Sequence, residues 1–98
     1  MTQTDNKAKI LAFVSTLGPA GEPPRTDQPL FYTAAQESMA AARRRGNYGL
    51  DSLDRVEVAM FCEDAFPIAV HDPEIEELTT IDEIAALVDR KLEERARV

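Results

Sequence analysis

Hydrophobic positions along this chain recur at helical spacing, and no segment alternates in the manner of a strand. Ile10, Leu11, Phe13, Val14 and Leu17 predict a helix over 5–17, ended by Gly18-Pro19. The Pro- and Gly-rich stretch GPAGEPPRTDQP (18–29) predicts a loop. LFYTAAQESMAAARRRG (30–46) is rich in alanine and straight side chains and predicts a second helix. Arg43, Arg44 and Arg45 would suit the dipole at its C-terminal end, with Gly46 closing it. Asp51 predicts the N-cap of a helix over 52–65, with Pro67 just beyond. HDPEIEELTT predicts a short helical turn over 73–78. Thr80 then opens a last helix with a capping box through Glu83. Ile81, Ile84, Ala85, Leu87, Val88 and Leu92 would supply that helix's buried face. The prediction is an all-α bundle in a single domain over 1–98.

At ~100° per residue the 52–66 segment carries two apolar stripes instead of one. Val58, Ala59, Cys62 and Phe66 form the first, which can face the core. Leu53, Val56 and Met60 form the second, beside Ser52 and bordered by Glu57, Glu63 and Asp64. A neighbouring helix could cover this second stripe, or it could be a docking strip with an acidic rim.

Charge sharpens that choice. The net charge is −7, and it is unevenly placed: between 51 and 89 the only cation is Arg55, against twelve acids. Phosphate-backbone binding needs clustered cations, so this half is a poor candidate for nucleic acid. Its acids either attract a basic protein surface or simply form a solvated, solubilising face, which composition alone slightly favours. No apolar run approaches the ~20 residues that cross a bilayer, and the N-terminus lacks the apolar core of a secretory signal. A lone cysteine, Cys62, fits a reducing cytoplasm.

The candidate chemistry narrows by elimination. Nucleophilic catalysis by Ser52 needs a base, and His71 is the only histidine. The nucleophile-elbow pattern is absent, so hydrolase chemistry is not expected. One cysteine and one histidine make no zinc site, and the acids of 72–77 lack the ligand spacing and glycine of a calcium loop. There is no glycine-rich phosphate loop. What survives is Ser52 as a handle: a helix N-terminus favours an attached phosphate, and a flexible arm there could carry a thioester between enzymes.

GLDSLDRVEVAMFCEDAF followed by DPEIEELTTIDEIAALV resembles the C-terminal two-thirds of an acyl carrier protein. The likeness runs from Asp51 to Leu87, through the D-S-L motif (Asp51, Ser52, Leu53), Asp54, Val56, Glu57, Met60, Glu63 and Phe66, to the turn Leu78-Thr79-Thr80-Ile81. It implies a four-helix bundle with a short third helix and an extended first loop holding an extra helix. It implies that Ser52 carries a 4′-phosphopantetheine arm, flanked by Asp51 and Leu53 and installed from coenzyme A by a phosphopantetheinyl transferase. It further implies docking by Leu53, Asp54, Val56, Glu57, Met60 and Glu63 to acyl-transferring, ketosynthase or ligase-type enzymes with basic patches.

Two departures stand out. Residues 18–46 exceed the usual first loop, and Arg55 places a cation where the recognition helix is ordinarily uncharged or acidic. Arg55 is therefore added to the docking residues, as one that tells partners apart, or else pairs locally with Asp51, Glu63 or other acids. The expectation is a monomeric cytoplasmic carrier, not an enzyme, in a fatty-acid, polyketide or specialised lipid pathway. An aminoacyl or peptidyl carrier and an unmodified helical interaction module are the alternatives.

Overall fold

A computed structural model describes residues 3–19 and 22–96. Five helices follow one another: α1 (Gln3–Leu17), α2 (Met39–Arg44), α3 (Ser52–Ala65), α4 (Asp72–Ile75) and α5 (Ile81–Ala96). The all-α expectation holds, with α4 as the short helix and α2 as the extra one. Among the described residues the one β-type pairing is an isolated parallel bridge between Phe31 and Leu50. Among the described residues no helix is long and apolar enough to cross a membrane.

α1 packs against both α5 and α3. Ile10 and Val14, four residues apart on one face of α1, meet Val58, Ala59 and Cys62 of α3 and Ile81, Ile84, Ala85 and Val88 of α5 in one buried cluster. Leu87 and Leu92, expected in the core face of α5, pack at its edge, half-buried. Polar contacts fix how α1 sits on α5: Asn6 Nδ2 donates to Asp89 Oδ1 at 3.0 Å. Lys7 pairs with Asp82 at 2.8 Å.

The helix expected over 30–46 shrinks to six residues. The cause lies in the backbone of 30–32, which is committed to distant partners. Leu30 N–H donates to the Thr79 carbonyl, Leu50 N–H to Leu30, and Tyr32 N–H to Leu50, each at 2.9 Å. Asn47 Nδ2 donates to the Phe31 carbonyl at 2.9 Å. Groups so used cannot form i→i−4 bonds, and helix starts only where Ser38 Oγ accepts from Ala41 N–H. Leu30 itself is fully buried, so the segment between α1 and α2 supplies part of the core. The arginines at the end of α2 turn back on this segment: Arg45 pairs with Glu37, and Arg43 Nε donates to the Tyr48 carbonyl.

The last helix begins with half of the expected box. Thr80 Oγ1 accepts from Glu83 N–H at 3.1 Å, but the Glu83 carboxylate takes the hydroxyl of Thr79.

Candidate functional site

Ser52 is the first residue of α3 and is exposed. Asp51 precedes it as the N-cap, and the cap is reciprocal. Asp54 N–H donates to Asp51 Oδ1 at 3.0 Å, while Asp51 N–H donates to Asp54 Oδ2 at 3.1 Å. Arg55 N–H goes to the Asp51 carbonyl. The amides of Ser52 and Leu53 have no acceptor inside the helix, which leaves donors at the hydroxyl's end of α3. Burial pushes the Asp54 carboxyl above its ordinary pKa, with the charges of Asp51 and Glu57 adding to it and the Asp51 N–H partly offsetting it.

The segment leading into Ser52 is held firmly. Tyr48 N–H donates to the Pro29 carbonyl at 2.8 Å, and Tyr48 Oη donates to the Glu22 carbonyl. Gly49 has φ +92°, a backbone state that favours glycine, and its N–H donates to Asn47 Oδ1. Leu50, almost wholly buried, then plugs into the core immediately before the cap.

The two stripes of α3 separate as the helical wheel predicts. Val58, Ala59, Cys62 and Phe66 are at most 4% exposed, whereas Leu53, Val56 and Met60 stand 74%, 43% and 56% exposed. Among the described residues no helix covers the second stripe. Met60 also lines an open groove with Phe13, Leu17 and Phe61, rimmed by Glu57 and Asp64. Phe13 and Phe61 stack across it, ring centroids 4.4 Å apart.

The charged residues divide. Glu57 is exposed on the rim. Glu63 is exposed too, but its Oε2 accepts the Val70 N–H at 2.9 Å and so helps hold the loop after α3. Arg55 does not project from the exposed stripe. It is half-buried and lies over the Phe31 ring, 4.7 Å from the centroid. It forms no ion pair with Asp51 or Glu63; Glu76 is the acid whose charge acts on it most. Burial lowers its guanidinium pKa and Glu76 partly offsets that.

His71 lies at the entry to α4, where its N–H donates to Glu74 Oε1 at 2.9 Å. No hydrogen bond joins it to Ser52 among the described residues. Cys62 is buried, and loss of solvent, with Glu63 nearby, pushes its thiol up to about 12.

The family profile described as a phosphopantetheine attachment site matches residues 37–88, which include Ser52 and all of α3. Among curated proteins, the chain is 33% identical over 61 residues to acyl carrier protein 2, chloroplastic, of Arabidopsis thaliana, covering 62% of this chain and 45% of that protein. It is 38% identical over 56 residues to acyl carrier protein 4, chloroplastic, of the same plant, covering 57% and 41%. It is 35% identical over 48 residues to the acyl carrier protein of Exiguobacterium sp., covering 49% and 61%. The chain thus spans about half the length of the curated relatives it matches. No solved structure gives a significant match. With the profile covering more than half of its residues, the chain belongs to the phosphopantetheine-attachment family, as a member of the acyl carrier protein kind.

Proposed function

We propose that this chain is an acyl carrier domain whose Ser52 is the attachment point for 4′-phosphopantetheine. The observation that carries the reading is an exposed serine, first in a capped helix, directly beside an uncovered apolar strip. The donor set suits the group: Ser52 offers its hydroxyl to solvent, and the amides of Ser52 and Leu53 have no helical acceptor to give up. The reciprocal Asp51–Asp54 cap and the packed Leu50 keep that hydroxyl at a fixed place for an incoming enzyme. When bound, phosphopantetheine supplies a terminal thiol that holds acyl groups as thioesters. The chain needs no catalytic base of its own for this task.

Leu53, Val56 and Met60 are the apolar contacts that a phosphopantetheinyl transferase and the acyl-handling enzymes would grip. Glu57 is the acidic contact facing their basic patches. Asp54 and Glu63 contribute charge, but each also holds an internal amide, so their roles are partly structural. The carrier works as a monomeric domain serving fatty-acid, polyketide or specialised lipid synthesis. A reducing compartment such as the cytoplasm suits its single thiol.

The test is incubation with coenzyme A and a promiscuous transferase, followed by intact mass measurement beside a Ser52→Ala control. The wild type gains one phosphopantetheine and the control gains none. An unmodified wild type, or a modified control, overturns the reading.

A further inference from the structure

Arg55 is the only cation between residues 51 and 89. It precedes Val58, Ala59 and Cys62 by three, four and seven residues, so it leaves α3 on the core-facing side, one turn from Ser52. There the ring of Phe31 lies against the guanidinium. Phe31 is fixed in turn, because the flanking Leu30 and Tyr32 are both bonded to the backbone of Leu50. Arg55 Nε is buried and has no hydrogen-bond partner, and among the described residues no carboxylate reaches ion-pair distance of this side chain. The nearest acids along the helix are occupied: Asp51 and Asp54 hold each other's amides. An unmade bond on a buried charged donor is costly, and native proteins seldom leave one without a use.

The Phe31 ring covers one side of the guanidinium and Nε is closed off, so the terminal Nη groups are the donors left to take an oxyanion. Ser52 and Arg55 are three apart on the helix, where Cβ atoms lie about 5–6 Å from one another. A group joined to the Ser52 oxygen is within the reach of an arginine side chain. A phosphodiester there adds negative charge beside Asp51, Asp54 and Glu57, and Arg55 is the single cation of this half placed to offset it.

We infer that Arg55 anchors the phosphodiester of the arm carried at Ser52, holding the base of the arm toward Phe31 and away from the exposed Leu53–Val56–Met60 strip. The inference rests on the Ser52 reading and extends it. It gives the segment between α1 and α2 a purpose in the carrier: the 30–32 stretch places the ring that holds Arg55 in position. It also leaves the apolar strip open for a partner while the arm is attached.

The test compares apo and holo forms of the wild type, Arg55→Met and Arg55→Lys, with conversion checked by intact mass. In the wild type, the Arg55 Nε–H resonance shifts on conversion, reporting the anion bound at the Nη groups of the same guanidinium, and the holo form melts a few °C above the apo form. In Arg55→Met the holo form melts at or below its apo form, because the added charge meets only acids. Arg55→Lys keeps part of the holo stabilisation. An Nε–H resonance that is the same in apo and holo wild type overturns the inference, and that measurement does not depend on any variant folding. So does an equal apo-to-holo gain in Arg55→Met. Inorganic phosphate added to the apo protein leaves the Nε–H resonance in place; a shift as large as conversion causes would overturn a tether-specific anchor. Failure to form holo protein at all removes the Ser52 reading itself, and this inference falls with it.

Discussion

Leu53 and Val58 sit five residues apart on α3 and are expected to fail in opposite ways. Val58 is fully buried in the core cluster that α3 shares with α1 and α5, whereas Leu53 is 74% exposed. Val58→Ala removes two buried carbons, worth about 0.8 kcal/mol each, and leaves a cavity, for a total of about 2–3 kcal/mol. In a domain of this size that lowers the melting temperature by roughly 8–20 °C. Leu53→Ala removes almost nothing from the core and changes stability by less than about 0.5 kcal/mol. Its loss appears at the enzyme interface, where burying a leucine is worth about 1–2 kcal/mol, or roughly 5–30-fold in kcat/KM for transferase modification. The assays are thermal unfolding by circular dichroism and initial rates of phosphopantetheine transfer well below the unfolding temperature. A Leu53→Ala protein modified at the wild-type rate would refute the docking role of the exposed strip. A Val58→Ala protein of unchanged stability would refute the packing.

Gly49→Ala should cost about 1–2 kcal/mol in urea unfolding. Its φ is +92°, and a Cβ would fall 2.5 Å from Arg43 Nε, whereas Gly46→Ala, at φ +100° with open space around it, should cost about 1 kcal/mol. Equal costs would mean that the Arg43 side chain yields freely. The Lys91 ammonium, 2.8 Å away, and then the His71 N–H hold the Glu74 carboxyl below its ordinary pKa. A lowered folded pKa gives stability that is present above the unfolded value and lost as pH falls through the folded one. Glu74→Gln should therefore destabilise by about 1 kcal/mol at pH 7, with the difference closing toward pH 3; a pH-independent difference contradicts the ion pair. Cys62, with its thiol near 12, should react with iodoacetamide at pH 8 more than about a thousandfold more slowly in the folded protein than in urea.

Much of the bundle was legible because its signals are local. Caps, the Gly-Pro stop and apolar spacing marked α1, α3, α4 and α5 to within a few residues. The wheel of α3 also separated the buried from the uncovered stripe. The 30–46 segment misled because alanine content favours helix, while Leu30, Phe31 and Tyr32 are claimed by Leu50 and Thr79, partners that no local pattern announces. Ser38, an N-cap residue followed by Met-Ala-Ala-Ala, was the signal for the true start of α2. The Asp51–Asp54 spacing likewise carried the capping box that was sought at Thr80 instead. Glu63 is exposed as a rim residue would be, but its bond to the Val70 N–H, seven residues on, leaves no trace in the local pattern. Arg55 was classed by its sign, although its spacing from Val58 and Cys62 already placed it on the inner face.

Trypsin, cutting after Arg45 and Arg55, releases Ser52 within the peptide GNYGLDSLDR, which contains no other serine or threonine. Tandem mass spectrometry of this peptide, after incubation of the protein with coenzyme A and a transferase, should show phosphopantetheine on Ser52 and its ejection on fragmentation. The same peptide recovered unmodified from a protein that had gained the group elsewhere, or from one that had gained nothing, would contradict the account.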